Sequence, residues 1–187
     1  TVYLNLGILF RKKQDYEQSI QYNEQALQMR LKLVGPNSIE VAESYSNMAN
    51  VYDDIGRYDK AVELHEKALL IFKYNLHEAH PFFAQVYNNL ANPYLSKGKL
   101  EKTIEMCHNA LLVSGYNQLN DMGRVLNLEQ TNKALFLLAK TSIRQYQNTA
   151  KSIYLSQSMD WIRQAMTGLD YQLHSASNDI DKTHWIA

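Results

Sequence analysis

Tyr87-Asn88-Asn89-Leu90-Ala91-Asn92-Pro93-Tyr94 decides the fold, because the chain writes the same pattern twice more upstream at a fixed distance. Tyr45-Ser46-Asn47-Met48-Ala49-Asn50-Val51-Tyr52 lies 42 residues earlier, and Tyr3-Leu4-Asn5-Leu6-Gly7-Ile8-Leu9-Phe10 a further 42. The offset persists beyond these strings, through Tyr16, Tyr58 and Leu100, then Ala26-Leu27, Ala68-Leu69 and Ala110-Leu111. A period of this length marks a stack of supersecondary units, each too small to bury its own apolar face.

Each unit has helical spacing. Tyr45, Met48, Ala49 and Tyr52 recur at i, i+3, i+4 and i+7, one apolar stripe, and Gly56 ends it. A second stripe follows through Tyr58, Ala61, Val62, His65, Ala68, Leu69 and Phe72. The unit is therefore an antiparallel helix pair with a short turn. Gly7, Ala49 and Ala91 on the first helices, and Ala26, Ala68 and Ala110 on the second, let the two backbones approach within about 8–10 Å. At the junctions, Asn37 followed by Glu40 has the pattern of a capping box, and His80-Pro81 places a proline where a first helical turn accepts it.

These residues resemble the tetratricopeptide repeat, and the 42-residue period, the Tyr-Asn-Asn-Leu-Ala string at 87–91 and the His80-Pro81 junction are similar to its kinesin-light-chain variant. The resemblance implies an all-α fold, a right-handed solenoid of antiparallel helix pairs with a concave groove for partner recognition. It covers three repeats over 1–115, about 1–37, 38–80 and 81–120. Residues 121–187 read as a degenerate fourth pair followed by a C-terminal helix or tail, because Ala165 follows Ala110 by 55 residues instead of 42. Departures are Gln14 in the place of Gly56 and Gly98, Ser19 and Thr103 in the place of Ala61, and Pro93 inside a helix, where a kink is expected.

Composition agrees with a helical stack. The 187 residues carry 19 basic and 19 acidic side chains, spread evenly, so the footprint of a nucleic-acid binder is missing and none is expected as partner. No apolar run approaches the roughly 18 residues of a membrane span. Three prolines and seven glycines leave little punctuation. The single cysteine, Cys107, excludes an intramolecular disulfide framework and fits a reducing, cytoplasmic setting. The sequence begins Thr1-Val2-Tyr3, almost on a packing stripe, which suggests a stretch cut from a longer array.

No residue pattern calls for catalysis, a metal or a cofactor, and none is expected. His77-Glu78-Ala79-His80 spaces its histidines by three, not the four of a zinc-protease helix, and sits at a junction. Cys107 and His65 fall in packing stripes and His108 on a surface. Asp53-Asp54 lacks the surrounding oxygen ligands of a calcium loop.

The face beside each first-helix stripe is the candidate partner-binding surface. It presents Leu4, Asn5, Ile8 and Arg11 in the first repeat. The second presents Glu43, Ser46, Asn47, Asn50 and Asp53, and the third Gln85, Asn88, Asn89, Asn92 and Leu95. Asn5, Asn47 and Asn89 recur in register, and Asn50 and Asn92 form an outer row. Carboxamides offer both donor and acceptor, which suits the backbone of an extended peptide; equally, such rows serve as interhelix hydrogen bonds. Arg11, Lys12 and Lys13 at one end and Glu43, Asp53 and Asp54 next to them favour a polar or mildly basic ligand.

The expected function is a non-catalytic scaffold that binds a protein or peptide in its groove. Two alternatives stand beside it. One is a sensor or recruitment region of a larger enzyme, such as a caspase-like CHAT protease whose catalytic domain lies outside this chain. The other is a structural cargo-adaptor or self-association module; oligomeric state is left open. The pairing itself is testable: Ala68→Leu should overpack the helix contact by about 1–3 kcal/mol and lower the melting temperature. An unchanged melt would contradict the pairing.

Overall fold

The computed structural model describes residues 2–78, 80–115 and 128–183, the side chains of 128 and 168–183 excepted. Among these residues the chain forms eight helices and no strand: α1 (Val2–Lys12), α2 (Tyr16–Val34), α3 (Ile39–Asp54), α4 (Tyr58–Asn75), α5 (Pro81–Ser96), α6 (Leu100–Val113), α7 (Leu128–Thr149) and α8 (Ser152–Thr183). Each helix packs against the next, most extensively within the pairs α1/α2, α3/α4, α5/α6 and α7/α8. No helix among the described residues is long and apolar enough to cross a membrane.

The turn inside each of the first three pairs is the same backbone device. Asp15, Arg57 and Lys99 donate their amides to Phe10, Tyr52 and Tyr94, and Gln14, Gly56 and Gly98 donate to Arg11, Asp53 and Leu95. This pair of bonds is a Schellman motif, which satisfies carbonyls left open at a helix end. It requires a left-handed residue, and φ is +77° at Gly56 and +72° at Gly98. Gln14 takes the same conformation at +61°, so the substitution noticed in the sequence leaves the turn intact at a steric cost.

Close approach of paired helices is visible in the burial. Ala49, Ala68, Ala91 and Ala110 are fully buried. The first pair is the polar version of this contact. A Cβ placed on Gly7 would meet Asn23 Nδ2 at 2.5 Å. Ser19 Oγ donates to the Gly7 carbonyl at 2.8 Å, and Asn23 Nδ2 donates to the Ser19 carbonyl at 2.8 Å. Gly7, Ser19 and Asn23 are thus one coupled departure.

Two junction details differ from expectation. Ser38, not Asn37, caps α3: its hydroxyl accepts from the Val41 amide at 3.3 Å, while the Asn37 carbonyl accepts from Asn75. Asn37 lies one residue too early for the cap. The second junction follows expectation, with Pro81 opening α5 and His80 Nδ1 accepting from the Phe82 amide. Pro93 is buried, and α5 continues through it to Ser96. Neighbouring turns hold the helix where the proline removes one bond.

The last pair accounts for the irregular spacing. Helix α7 has 22 residues, where α3 and α5 have 16 each, and α8 has 32 and continues past Asp170 to Thr183. The boundary near residue 120 and the terminal Trp185-Ile186 lie outside the described residues. Two apolar clusters form the core and meet at α5, which gives Leu90 and Tyr94 to one and Ala91 and Leu95 to the other.

Replacing Gln14 by Gly removes the left-handed strain at an exposed turn. It should raise stability by about 1 kcal/mol, read as a higher denaturation midpoint in urea with unchanged slope. A lower midpoint would mean that the Gln14 side chain supports the turn.

Candidate functional site

Helices α1, α3, α5 and α7 touch their nearest odd-numbered neighbours in sequence, whereas the even-numbered helices meet only the odd ones to any comparable extent. The odd helices therefore form the inner layer, and their exposed face is the groove. Polar bonds stitch it from end to end. Arg11 on α1 grips the Asp54 carboxylate with two bonds, at 2.6 and 3.0 Å. Asp53 on α3 accepts from Asn92 on α5 at 2.6 Å, and Asn89 on α5 accepts from Lys133 on α7 at 2.9 Å.

Two adjoining clefts open on this face and share Asn89. The first, about 260 Å³, is bounded by Leu4, Glu43, Ser46, Asn47 and Gln85 over a floor that includes Phe72, Phe82 and Val86. The second, about 340 Å³, is bounded by Arg11, Asn50, Asp53, Asp54 and Asn92 and, from α7, by Lys133, Phe136 and Lys140. The candidate residues chosen from the sequence thus sort into two groups on one surface, with four exceptions. Asn88 is fully buried and donates to the Gln130 carbonyl at 2.8 Å and to its side-chain oxygen at 3.0 Å. It is an interhelix bond, not a ligand contact, because it projects from α5 toward α7. Leu95 is buried in the second apolar cluster, and its carbonyl accepts from Arg144. Ile8 is half-buried and Asn5 exposed, and neither lines a cleft.

The remaining residues differ in what they have left to offer. Arg11 is occupied by Asp54, and Glu43 pairs with Arg30 at 3.3 Å. Burial raises the Asp53 carboxyl above its usual range, the Asn92 bond opposing the shift, and its second oxygen is buried without a partner. Asn47, Asn50 and Gln85 are at least partly exposed and make no hydrogen bond among the described residues, so their amides are open.

Sequence reasoning missed the α7 contribution. Lys133, Phe136 and Lys140 were invisible because α7 does not continue the 42-residue register: Lys133, 44 residues after Asn89, is the side chain that reaches it. These lysines also add positive charge to the second cleft. Burial lowers the Lys133 pKa, Glu129 opposing the shift, and Lys140 makes no ion pair among the described residues. Asp53 and Asp54 thus share their cleft with Arg11, Lys133 and Lys140.

Elsewhere, Cys107 is fully buried, which pushes its thiol up to about 12 and leaves no thiolate for chemistry. His80 is a helix cap, and His108 lies exposed beside Trp161. Among the described residues no three His, Cys, Asp or Glu side chains are grouped to hold a metal ion.

Comparisons with known proteins agree with this fold. The family model for the tetratricopeptide repeat matches residues 1–73. The chain is 30% identical over 76 residues to the clustered mitochondria protein homolog of Danio rerio and 29% identical over 76 to that of Homo sapiens. Each match takes in 41% of this chain but only 5% and 6% of those proteins. Among solved structures, BtubC from P. vanneervenii is similar with a TM-score of 0.74 at 18% identity, over 91% of this chain and 63% of that one. A putative kinesin light chain from Podosopora anserina, with nearly identical repeats, gives 0.61 at 15% identity over 100% of this chain and 96% of that one. At these identities the structural likeness speaks for the fold. Over residues 1–73 the chain matches the tetratricopeptide-repeat model, and its fold of helix pairs is like that of the solved BtubC and kinesin-light-chain repeat structures.

Proposed function

We propose that the chain is a non-catalytic scaffold that binds an extended peptide, or an extended segment of a protein, along the inner face of its odd-numbered helices. Helix-pair arrays in general use such extended surfaces for protein recognition. The observation that supports a peptide here is the pair of adjoining clefts bordered by open carboxamides. Asn47 and Gln85 border the first and Asn50 the second, and Asn89 joins them. A peptide backbone alternates donor and acceptor along its length, and a carboxamide supplies both. The apolar floor of Phe72, Phe82 and Val86 gives a side chain a place to leave water. Charges of both signs border the second cleft, so the ligand is polar without a required sign.

The proposal separates two kinds of asparagine. A random-peptide display library panned against the chain should yield enriched sequences. The variant carrying Asn47→Ala, Asn50→Ala and Gln85→Ala should bind them at least about tenfold more weakly, with helicity by circular dichroism unchanged, given roughly 0.5–1.5 kcal/mol per net bond. Asn88→Ala should do the reverse. It removes two interior bonds between α5 and α7, lowering stability by about 1–3 kcal/mol, while peptide capture remains. Capture undiminished in the triple variant would move the site off this face.

A further inference from the structure

The interior of the second helix pair contains one titratable group with no visible use. His65 on α4 is fully buried, and among the described residues neither ring nitrogen has a hydrogen-bond partner. The equivalent positions hold Asn23 in the first pair and Cys107 in the third, also buried. Neither of those can take up a proton between pH 7 and 5. The charged groups that bear on His65 are both cations, Lys133 from α7 and Arg11 from α1. A proton on this ring would have no acceptor among the described residues, and both of these charges would oppose it.

We infer that His65 makes the second helix pair acid-sensitive: the fold accommodates only the neutral imidazole, and mild acidification loosens α3 and α4 against each other. The pair affected is the one that carries Glu43, Ser46, Asn47, Asn50 and Asp53, so acid acts on the centre of the inner face. The inference stands on the interior of the pair and is read through stability, independently of what the groove binds.

The direction follows from linkage. Burial lowers the folded-state pKa of His65 to about 3, with Lys133 and Arg11 adding to the shift. An unfolded chain protonates the ring near pH 6.5. Stability from the neutral ring is therefore fully present above about pH 6.5 and is lost as pH falls toward the folded value. Between pH 7 and pH 5 the folded-to-unfolded ratio should drop roughly 25-fold through this one group.

Urea denaturation of the full chain from pH 7.5 to 5.0 tests this beside His65→Cys, which copies the residue at the equivalent position of the third pair. The wild type should lose the roughly 25-fold factor and the variant should lack that portion of the loss. Parallel pH profiles would overturn the inference. Because the variant itself can disturb packing, nitrogen-edited NMR of the wild-type imidazole gives a second reading. A His65 ring that stays neutral down to pH 5 in the folded protein supports the inference. A ring that titrates near 6.5 with the fold intact overturns it.

Discussion

The array depends on how closely two helices approach inside one pair. Side chains at this contact are small in three pairs, and the helix-ending turn that returns the chain is the same hydrogen-bonded device each time. Bulk at the contact would push the pair apart, and the error would propagate, because each pair is the platform for the next. Conservation of geometry does not require conservation of chemistry there. Gly7 faces Asn23 in a polar contact closed by Ser19, while the positions equivalent to Asn23 hold His65 and Cys107. These exchanges are where the repeats acquire individual properties.

Approach within pairs also fixes what faces inward. With odd-numbered helices adjacent to one another, their polar side chains fall within bonding distance across repeats. The resulting ladder uses some groups and leaves others open. Arg11, Asp54 and Asn92 hold the array together, whereas Asn47, Asn50 and Gln85 are spared. A surface with both kinds of group is pre-organised, because the bonded set fixes the positions of the open set; on the proposed function this would limit the ordering cost of binding.

Much of this was legible in the sequence because a gapless period carries helix, turn and face together. The offset of 42 located the pairs, and helical spacing named the face on which both clefts open. Asn88 shows the limit. It is one residue from Asn89 and equally polar, yet about 100° further round the helix it meets α7 instead of the groove. Deciding between the two needed the position of α7, whose register the period does not predict. The same break concealed Lys133, Phe136 and Lys140, and with them the charge balance of the second cleft. Ser38 displaced Asn37 as the α3 cap for a local reason, since a cap one residue away has the same composition and a different geometry.

The central claim is that recognition takes place on the inner face of the odd-numbered helices. Chemical-shift mapping of the labelled chain with a display-selected peptide tests it most directly. The account predicts that the side-chain amide signals of Asn47, Asn50 and Gln85 move together on titration. Shifts confined to exposed apolar residues of the even-numbered helices, such as Leu70, Tyr74 and Leu112, would contradict it.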